Sequence, residues 1–220
     1  MNIAHALRLD SPSASNQTVS LVGAGGKSTT LFQLARQLSS VVNRKSSIAV
    51  RKSQIVTATT HLGIWQIPLA DHHIIANDLS DLQNIPREGI ILVTGDLDRD
   101  RTKPVSESII NYLSAYSKEH NLPLLIEADG SRQKPLKAPA SHEPAIPQFT
   151  DTVIVVAGLS AIGKALTDEN VHHAEYFSQL TGLQIGETIT PQAVISMLTH
   201  PQGGLKNIPS IARRIALLNQ

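Results

Sequence analysis

The sequence predicts an α/β fold: a mainly parallel sheet flanked by helices, with a more helical part from about residue 159 onward. Three observations predict it. Five short runs rich in Val, Ile and Leu are mostly continuous rather than alternating, which suits strands buried on both faces: QIVTATT (54–60), HHIIA (72–76), GIILVTG (89–95), LPLLIEADG (122–130) and DTVIVVAG (151–158). Helical apolar spacing lies between them, most clearly from Ser106 to Glu119, where Ile109, Ile110, Leu113 and Tyr116 recur after Pro104. The first apolar run, TVSLV from Thr18 to Val22, passes through Gly23, Gly25 and Gly26 into LFQLARQL, which reads as strand, glycine loop and helix.

The remaining elements follow in order. VVNRKSSIAVRKSQ (41–54) is basic and serine-rich, a predicted loop with a short edge strand at Ile48 to Val50. After Gly158 the pattern predicts helices over Asn170 to Thr181 and over Pro191 to Leu198, the latter with proline at an early helical position. Pro209 to Gln220 reads as a short helix running into an apolar segment, Ile215 to Leu218. With 220 residues and no internal repeat, one domain spanning 1–220 is expected.

Composition removes several function classes. Hydrophobic residues at 41% and charged residues at 17% argue against a disordered chain, and no apolar run approaches the ~20 residues of a membrane-spanning helix. A formal charge of +1 and 3% aromatics disfavour nucleic acid or an anionic membrane as partners, so any anion must be bound locally. The first residues lack a secretory signal pattern, and a cytoplasmic location is expected. Cysteine is absent, which excludes disulfides, thiolate-bound zinc or iron–sulfur clusters, and any covalent thiol or persulfide intermediate on this chain.

The glycine loop reads Gly23-Ala24-Gly25-Gly26-Lys27-Ser28-Thr29. A Walker A loop, G-x-x-x-x-G-K-[ST], uses backbone amides to cradle phosphates, lysine to neutralise the outer phosphates and a hydroxyl to bind magnesium. Counted back from Gly26, the first glycine of that pattern falls on Leu21, so this is a shorter G-x-x-G-K-S variant, similar to the loop of Mur ligases and folylpolyglutamate synthases. Glycines that let the backbone approach, and a helix presenting its positive end, serve a polyphosphate equally well in the shorter form. A dinucleotide loop, G-x-G-x-x-G, fails at Ser28 and leaves Lys27 and Ser28 unexplained.

Magnesium on a nucleotide needs a carboxylate at the end of an apolar strand, and LPLLIEADG supplies Glu127 and Asp129. Two residues apart on an extended chain, both face one side; Glu127 is the expected metal residue and Asp129 the one that orients a water or acceptor. The segment after it concentrates Arg132, Lys134, Lys137, His142 and Glu143 among prolines, cations suited to phosphates or an acidic substrate. Thr59, Thr60 and His61 end another strand at the same carboxyl edge, their hydroxyls facing phosphate or magnesium and His61 a candidate for proton transfer. Asp96, Asp98 and Asp100 lack the full calcium-loop pattern and read as a charged loop. His72-His73 and His172-His173 lack metal-ligand spacing, so zinc is not expected.

Together LVGAGGKSTT, VTATTH, LIEADGSR..PLKAP..HEP, VVAGLSAIGK and RRIALLNQ resemble the YqeC family, whose members are described as accessory proteins of selenium-dependent hydroxylases. The resemblance runs in matching order from about Leu21 to Gln220 and implies a P-loop-like nucleotide-binding protein tied to maturation of molybdenum hydroxylases that need selenium. Family positions carried over are Gly23, Gly26, Lys27, Ser28, Thr59, Thr60, His61, Glu127, Asp129, Lys137, His142 and Glu143. Two features depart from the family: the stretch Asn43 to Gln54 is longer than its usual connection, and Leu217-Leu218-Asn219-Gln220 resembles the opening of an N-K-x-D base-reading segment without its aspartate. Guanine selection is therefore not inferred, and a chain continuing past Gln220 is expected.

The expectation is a protein that binds ATP or GTP with Mg2+ and acts as an NTPase or phosphoryl transferase, partnered by a molybdenum hydroxylase or its cofactor machinery. Alternatives are a nucleotide-gated binding module or chaperone without significant turnover, and a Mur-like ATP-dependent ligase, which the lack of recognisable substrate and C-terminal ligase domains disfavours.

Overall fold

The computed structural model of the protein describes residues 2–10, 16–39 and 53–220. The strand predicted at Ile48 to Val50, and residues 43–52 of the long connection, lie outside them. Seven strands form a parallel sheet in the order β11-β9-β1-β7-β2-β4-β3, with helices on its flanks. β1 spans Thr18–Gly23, β2 Gln54–Ala58, β3 His72–Ile75, β4 Ile90–Thr94, β7 Leu124–Glu127, β9 Thr152–Gly158 and β11 Arg213–Asn219. The chain divides into two compact units, one of Met1–Val19 and Ser28–Glu127, the other of Ser20–Lys27 and Ala128–Gln220.

In the first unit β2 pairs in parallel with β4 and with β7, and every residue of these three strands is buried. That is the condition under which unbroken Val/Ile/Leu runs are stable in a sheet. β3 is the exception: it pairs with β4 alone and its pattern is half-exposed, so HHIIA is an edge strand rather than one buried on both faces. α1 (Ile3–Ala6) and α2 (Lys27–Ser39) precede it in the chain. The hairpin of β5 (Leu97–Asp98) and β6 (Arg101–Thr102) is what the Asp96–Asp100 loop becomes. α3 (Glu107–Glu119) starts where Ser106, as N-cap, accepts the Ile109 amide; its apolar stripe buries Ile109, Ile110 and Leu113, while Tyr116, the fourth residue that the spacing selects, is half-buried.

In the second unit β9 pairs in parallel with β11, and β8 (Leu136–Lys137) with β10 (Val171–His172). α4 (Ala174–Thr181) and α5 (Pro191–Thr199) close a core that includes Leu136, Leu166, Phe177, Val194 and Met197. Two expectations are corrected here. The helix predicted from Asn170 begins only at Ala174, because Val171 and His172 are drawn into β10 and His173 takes a left-handed conformation, φ 62°. The segment Pro209–Gln220 is not helical: Arg213–Asn219 is strand β11, in register with Thr152–Gly158. Its Arg-, Ala- and Leu-rich composition favours helix locally, and pairing along the whole of β9 overrides that preference.

Candidate functional site

The second unit carries the glycine turn. β1 ends at Gly23 with φ 87°, followed by Gly25 at 76° and Gly26 at 115°, all left-handed. A Cβ on Gly23 would lie 2.2 Å from the Val156 carbonyl oxygen, so the close approach of β9 as well as the dihedral demands glycine. Gly23→Ala is expected to destabilise by more than about 2 kcal/mol, strain and backbone clash together, whereas Gly186→Ala loses only about 1 kcal/mol. Gly186 shares the dihedral, φ 88°, but a Cβ there meets nothing within 4 Å, so urea midpoints of the two variants separate strain from clash.

The turn's first amides are committed within the unit. Gly23 N donates to Asp129 Oδ2 at 3.1 Å, Ala24 N to the Val156 carbonyl at 2.9 Å and Gly25 N to the Lys134 carbonyl at 3.0 Å. Asn219 Nδ2 donates to the Gly25 carbonyl at 2.8 Å and lies over Gly26. What the turn offers an anion is therefore its far end. Lys27 starts α2, a 13-residue helix with no acidic residue in its first turn, and the opening N–H groups of any helix lack acceptors inside it. The Lys27 ammonium, on a residue 3% exposed, donates to the Gly23 carbonyl at 2.9 Å and to Ser131 Oγ at 3.0 Å.

In the first unit Ser28 Oγ donates to Glu127 Oε2 at 2.8 Å, joining residues 99 apart in sequence. Glu127 closes β7 and is buried; its carbonyl accepts from Thr59 N at 3.1 Å. One hydroxyl beside one carboxylate fits Mg2+, which keeps several waters and takes its remaining oxygens from a phosphate ligand. Among the described residues no group of three or more His, Cys, Asp or Glu could hold a metal on its own. The Thr57 hydroxyl is committed to the Val93 carbonyl at 2.8 Å. Thr59 and Thr60 are half-buried, and His61 is exposed, lining a groove with Asp98, Arg99, Asp100 and Arg101.

Beyond the glycine turn the second unit holds an ion network. Lys137 Nζ is hydrogen-bonded to Asp129 Oδ1 and to the Gly130 carbonyl, and pairs with Glu143 Oε2 at 2.8 Å; the Lys137 and Asp129 side chains are 1% and 3% exposed. Burial pushes the Asp129 carboxyl above its ordinary value against the pull of Lys137 and Lys27. Burial opposes ionisation of Glu143 too, but there Lys137 and the Ala140 amide prevail and hold its pKa down. An apolar pocket lined by Leu136, Pro139, Val194 and Met197 abuts Asp129 and Lys137.

His173 Nδ1 lies 3.0 Å from the Ala138 carbonyl and 3.7 Å from Glu143 Oε2, and the His172 ring stacks on it at 3.8 Å. Burial first, then His173 and Lys137, lower the His172 pKa to about 4. Its neutral form is favoured in the folded chain, so between the ordinary histidine value and about 4 the unfolded chain binds more protons. The contribution of His172 to stability is therefore full above about pH 6.5 and is lost as pH falls toward 4. His172→Gln should flatten the fall in urea midpoint between those values; an unchanged slope contradicts the assignment.

The structure thus gathers Gly23, Lys27, Asp129, Lys137 and Glu143 in one unit and Ser28, Glu127 and Thr59 in the other. His61, Arg132 and His142 are exposed, and Lys134 acts through its backbone carbonyl. Sequence reasoning missed three residues: Ser131 on Lys27, Asn219 on the glycine turn and His173 beside Glu143. Asn219 carried a signal, though one that suggested base reading; Ser131 carried only its place after Asp129-Gly130.

No helix among the described residues is long and apolar enough to cross a membrane. No solved structure matches the chain. The chain is 32% identical over 206 residues to a protein of Escherichia coli (strain K12) described as "Uncharacterized protein YqeC", a similarity covering 92% of this chain and 75% of that protein. The model of the family described as "YqeC protein" matches residues 19–175. With more than half its length matched by that family model, the chain belongs to the YqeC family.

Proposed function

We propose that the chain binds a nucleoside triphosphate with Mg2+ at the turn from Gly23 to Thr29. The observation that carries this reading is the 2.8 Å bond between Ser28 and Glu127, a hydroxyl and a carboxylate meeting where α2 begins, directly after a buried lysine. Lys27 neutralises the outer phosphates, and the opening amides of α2 receive their oxygens. Ser28 and Glu127 would hold magnesium, which would supply positive charge to neutralise the phosphates. One hydroxyl and one carboxylate would leave most of a Mg2+ shell to water and phosphate, so nucleotide and metal are expected to bind together.

Turnover is the open step, and one observation favours a gated binding module over a fast hydrolase. Both Asp129 oxygens are already engaged, one by Gly23 N and one by Lys137, so the carboxylate that would orient an acceptor is held by the fold. Family membership supports a role beside selenium-dependent molybdenum hydroxylases, as an accessory protein. Without cysteine the chain forms no thiol adduct of selenium or sulfur itself, which favours delivery or energy coupling with a bound selenophosphate-like donor or a partner protein.

Calorimetric titration with ATP and with GTP, each with and without Mg2+, tests the reading on the wild type and on Glu127→Gln. Magnesium should strengthen binding of at least one nucleotide to the wild type, and the variant should lose most of that gain. Binding of neither nucleotide refutes the phosphate site. Single-turnover assays on the same samples decide between gating and hydrolysis.

A further inference from the structure

We propose that Ser131 reads the outermost phosphate, distinguishing triphosphate from diphosphate; this rests on the phosphate-site reading of Lys27. The segment from Gly130 to Pro135 is fastened on both sides. Before it, Asp129 is held by Gly23 N and Lys137; after it, the Lys134 carbonyl accepts from Gly25 N and the Pro135 carbonyl from Gly158 N at 2.8 Å. Between these anchors Arg132 and Gln133 both adopt left-handed dihedrals, φ 46° and 61°, as the centre of a tight turn that Lys134 N closes by donating to the Ser131 carbonyl at 2.9 Å. The side chain that this short bridge sends inward is Ser131, and it goes to the Lys27 ammonium.

Of the groups around the Lys27 ammonium, which include the Asp129 carboxylate, the Ser131 hydroxyl is a neutral acceptor, and hydrogen bonds to an ionised acceptor are about twice as strong as those to a neutral one. The Ser131 oxygen, 3.0 Å from Lys27 Nζ, stands at the distance a phosphate oxygen would take. A phosphate arriving at the tip of Lys27 therefore meets Ser131 at once. A hydroxyl both donates and accepts, so Ser131 turns from accepting the lysine's proton to donating its own to the phosphate. A nucleotide one phosphate shorter leaves the lysine–serine bond intact. Ser131 is also the first residue of the turn through Arg132 and Gln133, so a phosphate holding its hydroxyl restrains that turn.

The experiment compares the wild type, Ser131→Ala and Ser131→Thr, titrated with the magnesium complexes of a non-hydrolysable triphosphate analogue and of the corresponding diphosphate, in adenine and guanine forms. The wild type should prefer triphosphate, Ser131→Ala should lose about ten- to a hundredfold of that preference, and Ser131→Thr should keep it. Trypsin supplies a second readout, because Arg132 is exposed. Triphosphate should slow cleavage after Arg132 in the wild type and Ser131→Thr, and not in Ser131→Ala. A wild type that binds both nucleotides, with the same preference and cleavage pattern in Ser131→Ala, overturns the inference and leaves the phosphate site standing. A wild type that binds neither overturns both.

Discussion

Lys27→Met is expected to weaken triphosphate binding by about a hundredfold or more in calorimetric titration, while the protein stays folded. The ammonium is the one cation that the glycine turn itself supplies, on a residue only 3% exposed, where water screens its field poorly. Removing it leaves the outer phosphates facing the carboxylate of Asp129, which already feels Lys27 as a favourable charge. Methionine keeps the unbranched stem, so packing around α2 changes little; the bonds lost include those to the Gly23 carbonyl and Ser131 Oγ. Lys27→Arg should not restore affinity, because a planar guanidinium cannot take the place of a compact ammonium in a buried position. An unchanged dissociation constant in Lys27→Met would show that any nucleotide site lies elsewhere.

The parts of this arrangement that the sequence disclosed share a property: their chemistry is local. The buried strands β2, β4, β7 and β9 announce themselves by unbroken apolar runs, and α3 by its spacing and its Ser106 cap. Lys27, Ser28 and Glu127 follow from residue type at strand and helix ends, and the structure does join Ser28 to Glu127. What could not be read is long-range commitment. Asp129 reads as an acceptor-orienting carboxylate, yet its oxygens are taken by Gly23, 106 residues earlier, and by Lys137. The Val156 and Lys134 carbonyls that occupy the Ala24 and Gly25 amides have no sequence signature, since any residue carries a carbonyl. β11 was hidden for a related reason: a strand lying beside β9 alone stays largely exposed and need not show the buried pattern that marks its neighbours.

The largest stability effect is expected from Lys137→Met. Its ammonium is enclosed by Asp129, Glu143 and the Gly130 carbonyl, so deleting the charge leaves a carboxylate that is 3% exposed with a single hydrogen bond, from Gly23 N. Breaking one half of a buried pair costs about 3–5 kcal/mol, which for a chain of this size lowers the unfolding midpoint by roughly 10 °C. Glu143 is the lesser casualty, because its side chain is 18% exposed and retains the Ala140 amide at 3.0 Å. The Asp129 charge, which then feels Lys27 but no longer Lys137, is the cause rather than lost packing, and a second substitution isolates it. Asp129→Asn in the Lys137→Met background removes that charge while its amide oxygen still accepts from Gly23 N. The double variant should therefore recover most of the loss, and the two substitutions should be strongly non-additive. Additive effects would mean that Lys137 acts by filling space between β8 and the Gly130 carbonyl, and the ion network would then be incidental to the fold of this unit.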